Sequence, residues 1–206
     1  MIKAVIFDMG GVLLRTIDQG PREALGARYG FDTQRLFDVV LTSESSKQAE
    51  VGLKPDKVHW EWALDELGIP QEERAEFIKE FWAGDRMDYE LLDFIQSLRP
   101  AIRTGLLSNA WPNTRSNITR HWGALEPYFD VTIFSAELGM RKPAPEFFHW
   151  LLERLDVRPD EAIFVDDYGK NIEAARELGM QAVKFCSTEQ AIQDVRALIN
   201  HSVPGN

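Results

Sequence analysis

Four short polar motifs carry residues able to do chemistry together. Asp8 follows the apolar run Ala4-Val5-Ile6-Phe7 and precedes the turn residues Gly10-Gly11. Ser108-Asn109 closes a second apolar run. Lys142 lies in Gly139-Met140-Arg141-Lys142-Pro143, and Asp166-Asp167 closes Phe164-Val165. Two carboxylate sites, a hydroxyl and an ammonium suit a divalent cation beside a phosphate. Mg²⁺ takes hard oxygen ligands, usually one or two carboxylates with substrate phosphate and water. The lysine and hydroxyl would hold phosphoryl oxygens and offset repulsion between phosphate and carboxylate. An Asp so placed can act as nucleophile and carry the phosphoryl group.

Each motif also has a plainer reading. A strand-end Asp can form a turn, a loop lysine can be solvated, and Ser108 can cap the helix after it. Two adjacent acids at the end of a buried strand are expensive without a cation, which favours the metal reading for Asp166 and Asp167.

The elements around these motifs must bring them to one place. Residues 3–8 read as a buried strand. Strand signals return at 103–107, 130–134, 162–165 and 181–185, separated by helical patterns at about 113–122, 145–156, 170–178 and 188–200. Pro145 opens one of these helices and Gly179 closes another. Alternating strands and helices predict an α/β fold with a Rossmann-like parallel sheet and right-handed crossovers. Ligands bind such sheets at the carboxyl ends of the strands, where all four motifs fall. Between Pro21 and Leu98 the pattern is helical, with Gly30 and Gly68 at left-handed helix ends. This block reads as an inserted helical cap over 15–95, leaving 1–14 and 96–206 as the core. The hinges are expected near Arg15 and Leu98.

Composition bounds the possibilities. The chain has 206 residues, 44% of them hydrophobic, enough for a sizeable core. The net charge of -10 argues against binding to a nucleic-acid backbone. Phosphorylated small molecules remain compatible with it. Cys186 is the only cysteine, so no internal disulfide forms, as suits a cytoplasmic location; it reads as a packing residue. No run is long and apolar enough for a membrane span. The tail from His201 to Asn206 is expected to fray.

With these residues on the page, the chain resembles the haloacid dehalogenase-like (HAD-like) hydrolase superfamily. The motifs Val5-Ile6-Phe7-Asp8-Met9-Gly10-Gly11, Leu107-Ser108-Asn109, Arg141-Lys142-Pro143 and Val165-Asp166-Asp167 stand in family order. The branch it resembles holds sugar-phosphate phosphatases and the phosphatase domain of soluble epoxide hydrolase. The resemblance implies Asp8 as nucleophile and Mg²⁺ ligand, and Gly10 as a ligand through its carbonyl. It implies Asp167 as the second metal carboxylate, supported by Asp166 and Asn171. Ser108 and the Asn109 amide would bind the phosphoryl group, and Lys142 would pair with nucleophile and phosphate. The expected partner is a small phosphorylated substrate, and the chain is expected to be a monomer or homodimer.

One position departs from the family. A second Asp usually stands two residues after the nucleophile as general acid and base; here that residue is Gly10. General acid–base help contributes about 10²–10⁴-fold. Slow turnover is therefore expected on alkyl phosphates, with anomeric, acyl and aryl phosphates doing better. Glu50, in the cap loop Glu50-Val51-Gly52, is the candidate replacement. Arg15 and Trp111 are candidate substrate contacts. Trp60, Trp62 and Trp82 are expected to pack the cap, and the four histidines to be structural or exposed. Two rival functions follow: a haloacid dehalogenase, in which Asp8 attacks carbon, and a weakly active metal-binding regulatory or interaction protein.

Overall fold

Ala4–Phe7 (β1) is completely buried, and its side chains alternate between two cores. Val5 and Phe7 enter one apolar cluster, while Ala4 and Ile6 enter the other. Such a strand needs cover on both faces, the condition for a central strand of a parallel sheet. The computed structural model describes residues 1–201. The expected fraying beyond His201 lies outside the described residues.

After β1, Leu14–Thr16 (β2) leads into Gly20–Tyr29 (α1), Thr33–Phe37 (α2), a π-helical turn at Asp38–Thr42, Glu44–Glu50 (α3), Asp56–Glu66 (α4) and Arg74–Phe81 (α5). Asp85–Met87 (β3) then pairs antiparallel with β2, so both connections to the helical block run side by side. Tyr89–Leu98 (α6), Arg103–Ser108 (β4), Thr114–Trp122 (α7), Val131–Phe134 (β5) and Ser135–Leu138 (α8) follow. Pro145–Leu155 (α9), Ala162–Asp166 (β6), Gly169–Glu177 (α10), Gln181–Lys184 (β7) and Thr188–His201 (α11) complete the described residues.

The main sheet has the order β5-β4-β1-β6-β7, all parallel. Helices α6, α7 and α11 supply apolar side chains to one face, and α9 and α10 to the other. A third cluster, with Leu25, Leu36, Leu64, Phe77 and Phe81, is internal to the helical block. The predicted α/β sheet and inserted helices are thus present.

Two details differ from the expected layout. The block read as free of strands contains β3, three residues too short to show alternation. Helix α6, partly assigned to a cap ending at 95, packs Leu91, Leu92 and Ile95 into the sheet core. Its apolar stripe looks the same whether it faces a cap or a sheet.

Candidate active site

Register delivers the acidic groups. Phe7 pairs with Val165 on one side and Leu106 on the other. One residue further, Asp8 and Asp166 leave the sheet level with each other, and Ser108 lies one residue beyond the Asp8 level.

Lys142 is the hub of the cluster. Its Nζ lies 2.7 Å from Asp8 Oδ1 and 2.7 Å from Asp166 Oδ2. The lysine is 1% exposed. Burial disfavours its ammonium, yet Asp8 and Asp166 together hold its pKa above the ordinary lysine value. Asp166 is fully buried and completely engaged: Asn171 Nδ2 donates to both its oxygens and the Tyr168 amide to Oδ1. Asp166 is therefore a brace for Lys142, and Asn171 a brace for Asp166.

Lys142 is also held from its main chain. Its N–H donates to Asn109 Oδ1 at 2.8 Å, and Asn109 Nδ2 donates to its carbonyl at 3.1 Å. This clasp fixes the lysine loop to the end of β4. The Asn109 side chain thus has a structural task that the motif alone did not reveal. Ser108 is buried, and its Oγ donates only a long 3.4 Å bond to the Asn109 carbonyl, with no helix cap.

Carboxylate oxygens of Asp8, Asp166 and Asp167 lie within 4.8 Å of one another. Burial pushes the Asp8 carboxyl up to about 8; Lys142 pulls against that shift and Asp166 adds to it. Burial and then Asp166 raise Asp167 too, and neither Lys142 nor Lys184 forms an ion pair with it among the described residues. Asp167 is exposed as a residue, but its carboxylate turns in against Gly11. The Gly10 carbonyl accepts none of the hydrogen bonds of the turn, which run to Met9 and Leu14 oxygens. The Asp8 and Asp167 carboxylates and the Gly10 carbonyl form a hard oxygen set that fits Mg²⁺.

The helical block closes against this edge. Glu50 Oε2 lies 2.9 Å from Arg141 Nη1, and the Glu50 carbonyl accepts from Ser135 Oγ at 2.5 Å. Burial raises the Glu50 carboxyl, with Arg141 and Lys142 pulling it back. Trp111 Nε1 donates to Ser46 Oγ at 3.1 Å, and its ring meets His59, Trp60 and Trp82. Trp111 is thus built into the block's aromatic cluster, as Trp60 and Trp82 are.

Arg15 stands apart from the cluster. Its Nη2 pairs with Asp88 Oδ2 and donates to Thr188 Oγ1 at 3.1 Å, and its guanidinium lies over Phe185. It joins the β2–β3 connection to α11. An arginine after a glycine turn carries no signal that separates this role from a substrate contact. Gly11 and Arg141 were not singled out from sequence. Their signals were present, as the second glycine of a pair and the neighbour of the lysine.

A parallel sheet with an aspartate, a buried lysine and an acidic pair gathered at its carboxyl edge fits a class of hydrolase. The haloacid dehalogenase-like hydrolase model matches residues 2–179, and the chain belongs to that family. It is 30% identical to D-ribitol-5-phosphate phosphatase of Bacteroides thetaiotaomicron, over 97% of this chain and 100% of that protein. It is 28% identical to the sesquiterpene phosphatase astK of Aspergillus oryzae, over 96% of each chain. A HAD family enzyme from Bacteroides thetaiotaomicron, solved with magnesium and inorganic phosphate, superposes with a TM-score of 0.72. That match has 25% identity over 89% of this chain and 94% of the other.

Proposed function

We propose that the chain is a Mg²⁺-dependent phosphatase that hydrolyses a small phosphorylated metabolite, of the sugar- or polyol-phosphate kind, through an aspartyl-phosphate on Asp8. The observation that carries this reading is the Asp8–Lys142–Asp166 chain with Asp167 beside it. Phosphatases among the relatives and a magnesium–phosphate complex among the similar structures support it.

Asp8, Asp167 and the Gly10 carbonyl would hold the ion, which when bound offsets the negative charge shared by phosphate and carboxylates. Lys142 orients the Asp8 carboxylate and neutralises a phosphoryl oxygen. Ser108 and the Asn109 amide receive the other oxygens. An Asp8 oxygen bonds to phosphorus while the bond from phosphorus to the ester oxygen breaks, and the alcohol leaves with that electron pair. Water then attacks phosphorus, releases inorganic phosphate and restores Asp8. With Gly10 at the usual acid position, the leaving oxygen takes its proton from water. The second carboxylate site speaks against the dehalogenase reading, since it would repel a carboxylated substrate.

Acid-quenching the enzyme during turnover and reducing it with borohydride tests the intermediate. An acyl phosphate at position 8 is converted to homoserine, which peptide mass mapping detects. Unmodified Asp8 under steady turnover contradicts the reading.

A further inference from the structure

The short loop 109–113 joins the end of β4 to α7 and is anchored to two different bodies. The sheet core holds its first two residues. Asn109 clasps the Lys142 main chain through both its amide atoms, and the Ala110 amide donates to Ser135 Oγ at 2.9 Å. The helical block holds Trp111 and Asn113. The Trp111 ring packs on the block's own hydrophobic cluster, with centroids 4.6 Å from His59, 5.8 Å from Trp60 and 6.1 Å from Trp82. The Asn113 amide donates to Asp56 Oδ1 at 3.1 Å, at the start of α4.

The indole is seated by a specific bond as well as by packing. Its Nε1–H donates to Ser46 Oγ at 3.1 Å. Ser46 is fully buried, and its own proton goes to the Leu41 carbonyl at 2.9 Å. The hydroxyl is thus oriented to accept, and Trp111 supplies the donor.

The loop has little slack between its two anchorages. Each residue spans at most about 3.6 Å, so the Cα atoms of Asn109 and Trp111 lie no more than about 7 Å apart. Pro112 fixes its own φ and holds Trp111 to extended backbone. A displacement of the block against the sheet must therefore either pull the indole from its aromatic seat or move Asn109. Moving Asn109 moves the Lys142 main chain to which it is bonded.

We infer that Trp111 is a positioning residue: it makes the Asn109 clasp, and through it the setting of Lys142 against Asp8 and Asp166, depend on the packing of the helical block. This dependence goes beyond the phosphatase reading: it concerns how the lysine is held, not what the site hydrolyses.

Amide hydrogen exchange of the full chain, followed by NMR, tests it. The Lys142 amide, bonded to Asn109 Oδ1, reports the clasp, and the amides of β1 report opening of the whole fold. Ser46→Ala removes the indole's acceptor from the block side and leaves the loop sequence intact. The Lys142 rate relative to β1 should then rise by about twofold to tenfold, the range for one neutral hydrogen bond. Trp111→Phe keeps a ring in the seat without the N–H and should match Ser46→Ala. Trp111→Ala should raise the ratio by more than about tenfold, since packing goes as well. General loss of stability speeds the β1 amides too and does not raise the ratio. An unchanged ratio in Ser46→Ala and Trp111→Phe overturns the inference, even where Trp111→Ala fails to fold. A rise confined to Trp111→Ala overturns it as well, because the loop alone would then hold the clasp. Phosphate release plays no part in these readings, so failure of the phosphatase reading leaves them standing.

Discussion

Gly11 and Asp167 approach so closely that a Cβ on Gly11 would lie 2.2 Å from Asp167 Oδ2. Gly11 also has a φ of +80°, in the region that disfavours side chains. The glycine turn thus sets where the Asp167 carboxylate, a member of the proposed metal set, can stand. Gly11→Ala should displace Asp167 and strain the turn. Calorimetric titration is expected to show Mg²⁺ affinity down by at least about tenfold, with stability lower by roughly 1–2 kcal/mol. Unchanged Mg²⁺ affinity would separate Gly11 from the metal site.

Gly10 presents the opposite case. Nothing lies within 4 Å of a Cβ built on it. A Cβ therefore meets no clash there, at the position of the family's usual acid and base. Gly10→Asp is expected to raise kcat/KM on alkyl phosphates by about tenfold or more, and by less on aryl phosphates, whose leaving groups need little protonation. Equal acceleration on both ester types would show that the added carboxylate acts in some other way.

Arg15 and Asp88 join the connection between block and core, where Asp88 Oδ2 also accepts from Thr188 Oγ1 and Asp88 Oδ1 from the Leu91 amide. A double-mutant cycle of Arg15→Ala and Asp88→Ala, read by urea unfolding, should give a coupling on the order of 1 kcal/mol. KM should change little in Arg15→Ala. A large rise in KM with no coupling would place Arg15 at the substrate site.

His59 is fully buried in the helical block. Its Nε2–H donates to the Val40 carbonyl at 2.8 Å, and Nδ1 accepts from Ser45, whose oxygen accepts from Lys54. Burial lowers its pKa below the ordinary 6.5. Above that pH both the folded and the unfolded chain carry neutral histidine. Below it the unfolded chain takes up a proton that the folded chain resists, so stability falls with pH, by up to about 1.4 kcal/mol per unit. Urea unfolding at pH 7.5 and 5.5 should show a larger loss in the native chain than in His59→Gln. Equal losses would mean that His59 titrates alike in both states.

Much of this was legible before the fold was seen. Asp8, Lys142, Asp166 and Asp167 announced themselves because each follows or opens a segment with a clear hydrophobic period. The period locates strand ends, and parallel strand ends converge. Asn109 was legible as a motif member, but its clasp on Lys142 was not, because residues 33 apart share no local pattern. The β2–β3 pair was invisible for a different reason: three-residue strands are too short to alternate. The Arg15–Asp88 pair was not legible, because a guanidinium can serve phosphate or carboxylate equally well and only the fold brings Asp88 within its reach.

The most direct test of the account is phosphate release from an activated aryl phosphate, with Mg²⁺ and with chelator, for the native chain and for Asp8→Asn. The account predicts release that requires Mg²⁺ and that disappears in Asp8→Asn. Release that persists in Asp8→Asn, or that is indifferent to chelator, would contradict it.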